Sequence, residues 1–124
     1  MTEHKWLDHY PEGVDWNAPI PAKPLYALMD DAVARFPQRP CLDFLGRIYT
    51  YAELDGLIDR ATAGFQRLGV GKGIKVGLFL PNCPQSVISY YAILKAGGTV
   101  VNYSPLYSAP ELLFQIEDSQ TDIM

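Results

Sequence analysis

Residues 74–105 constrain the chain more than any other stretch, because they read as strand, helix, strand. Ile74-Lys75-Val76-Gly77-Leu78-Phe79-Leu80 is a short apolar run rich in branched and aromatic side chains, as a buried strand requires. Pro81-Asn82 ends it, since proline cannot continue a ladder and asparagine favours a turn. Pro84 to Ala96 reads as a helix, with proline tolerated in its first turn and Gly97-Gly98 as its stop. Thr99-Val100-Val101-Asn102-Tyr103 is a second β-rich run. Two buried strands joined by one helix predict a right-handed βαβ unit in a mainly parallel sheet. The helix is apolar nearly all round, through Val87, Ile88, Tyr90, Tyr91, Ile93 and Leu94, so it is expected to be covered on both sides.

A chain of 124 residues is long enough for one domain with a real core and too short for two ordinary ones. Net charge is −4 with acids and bases interspersed, which gives no support for the basic face of a nucleic-acid binder. Cys41 and Cys83 stand far apart and outside any CxxC pair, so two buried free thiols are expected. Residues 1–10 are charged and lack the apolar core of a signal peptide. No run approaches the ~20 apolar residues of a membrane span.

Residues 1–23 lack periodicity and read as an extended arm that lays Trp6, Tyr10 and Trp16 on some other surface. His4 and His9 do not share a helical face and read as solvated residues, not metal ligands. Residues 24–124 read as one α/β unit. Leu25, Leu28, Met29, Ala32, Val33 and Phe36 form a helical stripe that Pro37 closes, with Asp30, Asp31 and Arg35 opposite. Adjacent Asp30 and Asp31 do not converge on a substrate. Cys41–Leu45 and Ile48–Thr50 predict an antiparallel hairpin with Gly46-Arg47 at its turn.

Thr50-Tyr51-Ala52-Glu53 is a capping box, in which the threonine hydroxyl and the glutamate each satisfy a helix-end N–H. Leu54, Leu57, Ile58, Ala61, Phe65 and Leu68 continue as one stripe, while Asp55 and Asp59 face water as like charges one turn apart. Gly69-Val70-Gly71-Lys72-Gly73 follows a helix and opens a strand. It lacks both the GxGxxG spacing and the Ser or Thr after a Gly-Lys pair that phosphate loops need, so it reads as a turn. Ser108-Ala109-Pro110-Glu111 is a second capping box, before a short helix through Leu112, Leu113 and Ile116 that Asp118-Ser119-Gln120 breaks. Thr121–Met124 then begins to look like a strand. A βαβα pattern that stops as its next strand starts reads as the front piece of a longer protein. Such a piece would expose its sheet edge and self-associate, through Tyr90-Tyr91 or the strand at Thr121.

Two segments carry a resemblance to a known family. Tyr49-Thr50-Tyr51-Ala52-Glu53-Leu54 resembles the first core motif of the adenylate-forming superfamily. Leu94-Lys95-Ala96-Gly97-Gly98, with Val100-Val101-Asn102 and Pro105, resembles its second. Val100–Tyr107 with Glu111-Leu112, and the opening Lys5–Pro11, are similar to bacterial AMP-forming long-chain fatty acid–CoA ligases. The resemblance implies the start of that family's large N-terminal domain and a two-step reaction. A fatty acid carboxylate attacks the α-phosphate of Mg-ATP and releases pyrophosphate; coenzyme A thiolate then attacks the acyl carbon and releases AMP. It implies ATP, Mg²⁺ and coenzyme A for a whole enzyme, none of them held by this chain alone, and a cytoplasmic protein with peripheral contact at the inner membrane. The family's phosphate loop, its adenine, ribose and magnesium motifs and its adenylation lysine all lie beyond the length matched here. No catalytic, cofactor-binding or metal residue carries over, and residues 1–124 alone are expected to be inactive. Both motifs read as scaffold. Ligands in open α/β sheets sit beyond the carboxyl ends of strands, which singles out Pro81-Asn82 and Asn102-Tyr103 as pocket wall. The rival readings are another adenylate-forming enzyme, such as a medium-chain or aryl-CoA ligase or an adenylation domain, and a non-catalytic α/β interaction module.

Overall fold

A computed structural model describes residues 4–124. Its elements are α1 (Ala27–Arg35), β1 (Pro40–Phe44), β2 (Arg47–Thr50), α2 (Tyr51–Arg67), β3 (Lys75–Leu78), α3 (Pro84–Lys95), β4 (Thr99–Asn102) and α4 (Ala109–Ser119). β1 and β2 pair antiparallel. β3 and β4 pair parallel, with α3 as their crossover. The expected α/β fold, a local hairpin beside a parallel unit, is the observed one.

α3 packs against α2 on one side and against β3 and β4 on the other. Only Gln85 along its length is exposed. Two apolar clusters flank it. Met29, Leu54, Ile58 and Ala92 join α1, α2 and α3, and Val70, Val76, Leu78 and Ile93 join α3 to the sheet. Leu54 and Ile58 are fully buried, and each such side chain contributes about 1.5–3 kcal/mol of burial.

The opposite face of β3 is closed by Tyr103. Its ring lies over Gly77, where an added Cβ would sit 2.6 Å from Tyr103 Cε2. Its hydroxyl bonds Ser119 Oγ at 2.7 Å and also Thr121 Oγ1, tying the end of α4 to the sheet. Ile123 bridges Val76 in parallel, and the Gly77 N–H donates to the Ile123 carbonyl at 2.7 Å. The Thr121 segment therefore extends the sheet beside β3, as its composition predicts.

Several local expectations are corrected. The arm is not simply extended: Lys5–His9 is a 3₁₀ turn, and Trp6 and Tyr10 both meet Trp16 edge-on. Its aromatics pack on one another, and residues 1–3 lie outside the described residues. The hairpin turn is Leu45-Gly46, not Gly46-Arg47; both residues have positive φ, as a two-residue type I′ turn demands, and Arg47 opens β2. Leu25, Leu28, Phe36 and Leu68 belong to the predicted stripes but are exposed. α4 runs two residues into its polar run, through Asp118 and Ser119, and stops at Gln120 in the left-handed region. Both strands are shorter than the apolar runs that contain them, since Phe79 and Tyr103 sit past the last ladder pair. Both cysteines are free but only half-buried.

Candidate functional site

The parallel unit opens a cavity of about 410 Å³ beyond the carboxyl ends of β3 and β4. Leu78, Leu80 and Asn82 contribute one wall and Asn102, Tyr103 and Pro105 the other. α3 closes it with Ser86, Val87, Tyr90 and Tyr91. Asn82, Asn102 and Tyr103 were singled out by strand-end position alone, and all three are brought together here. Pro81, singled out with them, is exposed and does not line the cavity.

The cavity carries no formally charged side chain. Among the described residues, the Asn82 and Asn102 carboxamides have no hydrogen-bond partner within the chain, so each offers a free donor pair and acceptor. The Ser86 hydroxyl is occupied, donating to the Cys83 carbonyl at 2.7 Å. Burial raises the Tyr91 phenol above its ordinary value, and the nearby Tyr90 adds to the rise, so it stays a neutral donor. Such a surface hydrogen-bonds and packs against an uncharged ligand. It does not neutralise phosphate.

The first family-like motif lies away from this cavity, and of the second only Asn102 and Pro105 line it. In the first, Thr50 Oγ1 accepts from the Glu53 N–H at 3.2 Å, while the Glu53 carboxylate accepts from the Thr50 N–H at 2.8 Å. The Thr50 backbone bond, then its hydroxyl, hold Glu53 below its ordinary carboxylate value. Leu54 drops into the core. In the second, Gly97 takes φ 88° so that its N–H reaches the Leu94 carbonyl and the Gly98 N–H reaches the Ile93 carbonyl, both at 3.0 Å. These two bonds form a Schellman stop. Gly98 is there for room: a Cβ would lie 2.6 Å from Val70 Cγ1.

Lys95, in the second motif, is the residue that sequence reasoning missed. Its Nζ lies 3.0 Å from Asp30 of α1 and 3.1 Å from both Asp55 and Asp59 of α2. Burial alone would lower the ammonium's pKa; its hydrogen bonds to Asp30, Asp55 and Asp59 outweigh that and raise the value above that of a free lysine. The aspartates expected to face water thus converge on one cation. The signal was present in the unfavourable Asp55–Asp59 spacing and in Lys95 being the only charge on α3, but no local rule joins residues forty positions apart. Among the described residues no group of acidic, histidine or cysteine side chains is free to hold a metal, and the only convergent carboxylates are spent on Lys95. The magnesium that the resemblance implies therefore does not fit this chain.

Comparison with known proteins agrees with the fold. A model of the family described as AMP-binding enzyme matches residues 29–124. A long-chain-fatty-acid–CoA ligase of Bacillus subtilis (strain 168) is 38% identical over 124 residues, all of this chain and 22% of that protein. One of Escherichia coli O157:H7 is 36% identical over 117 residues, 92% of this chain and 21% of that protein. The chain thus spans about a fifth of the length of the curated relatives it matches. Among solved structures, the N-terminal subdomain of Klebsiella oxytoca NpsA superposes with a TM-score of 0.79 at 23% identity, over 83% of this chain and 27% of that one. At that identity the likeness speaks for the fold.

Proposed function

This chain belongs to the AMP-binding enzyme family of adenylate-forming enzymes, and we propose that it is the N-terminal portion of an ATP-dependent fatty acid–CoA ligase. The observation that carries the proposal is its 38% identity, along its whole length, with a long-chain-fatty-acid–CoA ligase. In this reading residues 1–23 are an arm and residues 24–124 part of the large domain. The whole protein joins a fatty acid to the AMP moiety of ATP with loss of pyrophosphate, and passes the acyl group to coenzyme A with release of AMP. Its charged chemistry, including phosphate neutralisation and magnesium binding, falls to residues outside this chain.

The cavity takes an uncharged length of substrate. Of the three proposed substrates, ATP is charged along its phosphates and the fatty acid presents a carboxylate on a plain hydrocarbon. Coenzyme A alone has a long neutral arm bearing amides, which the Asn82 and Asn102 carboxamides can pair with while Leu78, Leu80 and Val87 pack against it. Leaving such amides unmatched is what makes the pairing selective. Self-association through the sheet edge at Ile123, and contact with a membrane surface, belong to the same proposal as properties to be measured by sedimentation with and without vesicles.

The test is acyl-CoA formation by the whole protein across fatty acids of different length and aryl acids, with pyrophosphate release followed in parallel. Long-chain acids are expected to give the highest kcat/KM; a preference for aryl or amino acids would assign the chain to another branch of the family. Residues 1–124 alone are expected to release no pyrophosphate. Asn82→Ala and Asn102→Ala are expected to raise KM for coenzyme A and leave KM for ATP unchanged. Unchanged kinetics for every substrate would remove the cavity from the reaction.

A further inference from the structure

A helix with one apolar stripe has its rotation about its own axis set by burial, because turning it exposes the stripe. α3 has no such stripe: its apolar residues run nearly all round, and all but Gln85 are at least half-buried. Turning α3 between α2 and the sheet would exchange one apolar contact for another. The burial term alone therefore does not select a single rotation. The one charged residue on the helix does. Lys95 has its side chain 18% exposed, and its ammonium reaches Asp30, Asp55 and Asp59 together only at the observed rotation. Each residue of a helix is turned by about 100° from the last, so a modest rotation carries the ammonium out of reach of at least one partner.

We infer that the Lys95–Asp30–Asp55–Asp59 cluster sets the rotational register of α3 and thereby positions Tyr90, Tyr91 and Ser86 at the cavity. The reach of this device is long. Ser86 lies nine residues from Lys95, about 14 Å along a helix. The helix is hydrogen-bonded throughout between them; Thr62 Oγ1 of α2 donates to the Ile58 carbonyl at 2.8 Å and lies 3.4 Å from the Ala92 carbonyl of α3. Buried polar groups are known to fix register in helical assemblies at some cost in stability, and the cluster uses the same physics inside one chain. Lys95 is here a positioning residue: it touches no cavity and acts through α3.

The experiment separates register from stability. In the whole protein, Lys95→Met leaves three carboxylates without their cation. Adding Asp55→Asn and Asp59→Asn removes most of that repulsion and is expected to return the melting temperature close to wild type. Two readouts follow. Cys83, the residue before α3, is a free half-buried thiol at the far end of the helix from Lys95. Its labelling by iodoacetamide, resolved by peptide mass spectrometry, is expected to be about tenfold faster in the triple variant, while Lys95→Arg labels as wild type. With the kinetic readout resting on the proposed function, kcat/KM for coenzyme A is expected to fall by about tenfold or more, since displacements near 1 Å cost up to about a hundredfold. A triple variant with wild-type labelling and wild-type kcat/KM would show that packing alone sets the register and would overturn the inference. If the triple variant does not fold, Lys95→Gln alone is read by the same labelling, with the same two outcomes. A whole protein without ligase activity would refute the proposed function and leave the thiol readout to decide the register.

Discussion

α2 and α3 lie side by side and are built on opposite principles. α2 has a capping box at its start, one buried stripe through Leu54 and Ile58, and a polar face in water. α3 has at its start only the short Ser86 hydroxyl, bonded back to Cys83, and it has no polar face; its single charge sits in its last turn. α2 is oriented by the hydrophobic effect and would orient itself against almost any apolar surface. α3 is buried by the hydrophobic effect but oriented by an ion cluster. A helix in the middle of a layered fold loses the solvent contrast that points a surface helix, and something directional has to replace it.

The largest effect is expected where the two helices are most alike. Ile58→Ala and Ile93→Ala each empty a fully buried site, one in the α2 cluster and one on the sheet side of α3. Each is expected to cost about 2–5 kcal/mol in urea unfolding. A small loss for Ile93→Ala would break the claim that α3 is core on its sheet side. Next come the helix stops. Gly98→Ala puts a Cβ 2.6 Å from Val70 Cγ1 and is expected to cost about 1–3 kcal/mol by overpacking. Gly69→Ala, at the matching stop of α2, meets open space and costs only its left-handed backbone, about 1–2 kcal/mol.

Lys95→Met sharpens the comparison further. The aspartates are partly solvated, so the expected loss is about 1–2 kcal/mol, below that of a fully buried pair. Because the folded lysine has a raised pKa, its contribution is complete below the ordinary lysine value near pH ~10.4 and is lost as pH climbs through the higher folded value. A wild-type advantage over Lys95→Met that persists unchanged at more alkaline pH would contradict the ion-pair account. The smallest effect belongs to the α2 cap. Thr50→Ala is expected to cost about 1 kcal/mol. Glu53 has a lowered pKa, so its share is present above pH ~4.3 and fades as pH falls through the folded value. Thr50→Ala should therefore differ less from wild type in acid than at pH 7, as a urea melt at each pH would show.

Much of this was legible along the chain. The hairpin, the capping boxes, the glycine stops and the parallel unit each depend on residues within a few positions of one another. The cavity was half legible: strand ends point to Asn82, Asn102 and Tyr103, but α3's side chains enter only once the helix is docked. In the arm the aromatic side chains meet one another, and composition does not say which surface they choose.

By itself the sequence determined which segments become helix or strand and where each stops, because caps, φ preferences and hydrophobic period act locally. It also determined that α3 must be buried, since it is apolar nearly all round. Only the tertiary structure decided which way α3 faces, where Asp30, Asp55 and Asp59 find their cation, and which walls meet across the cavity. Those outcomes rest on contacts between residues far apart in the chain, and a charge's partner is fixed by distance in space.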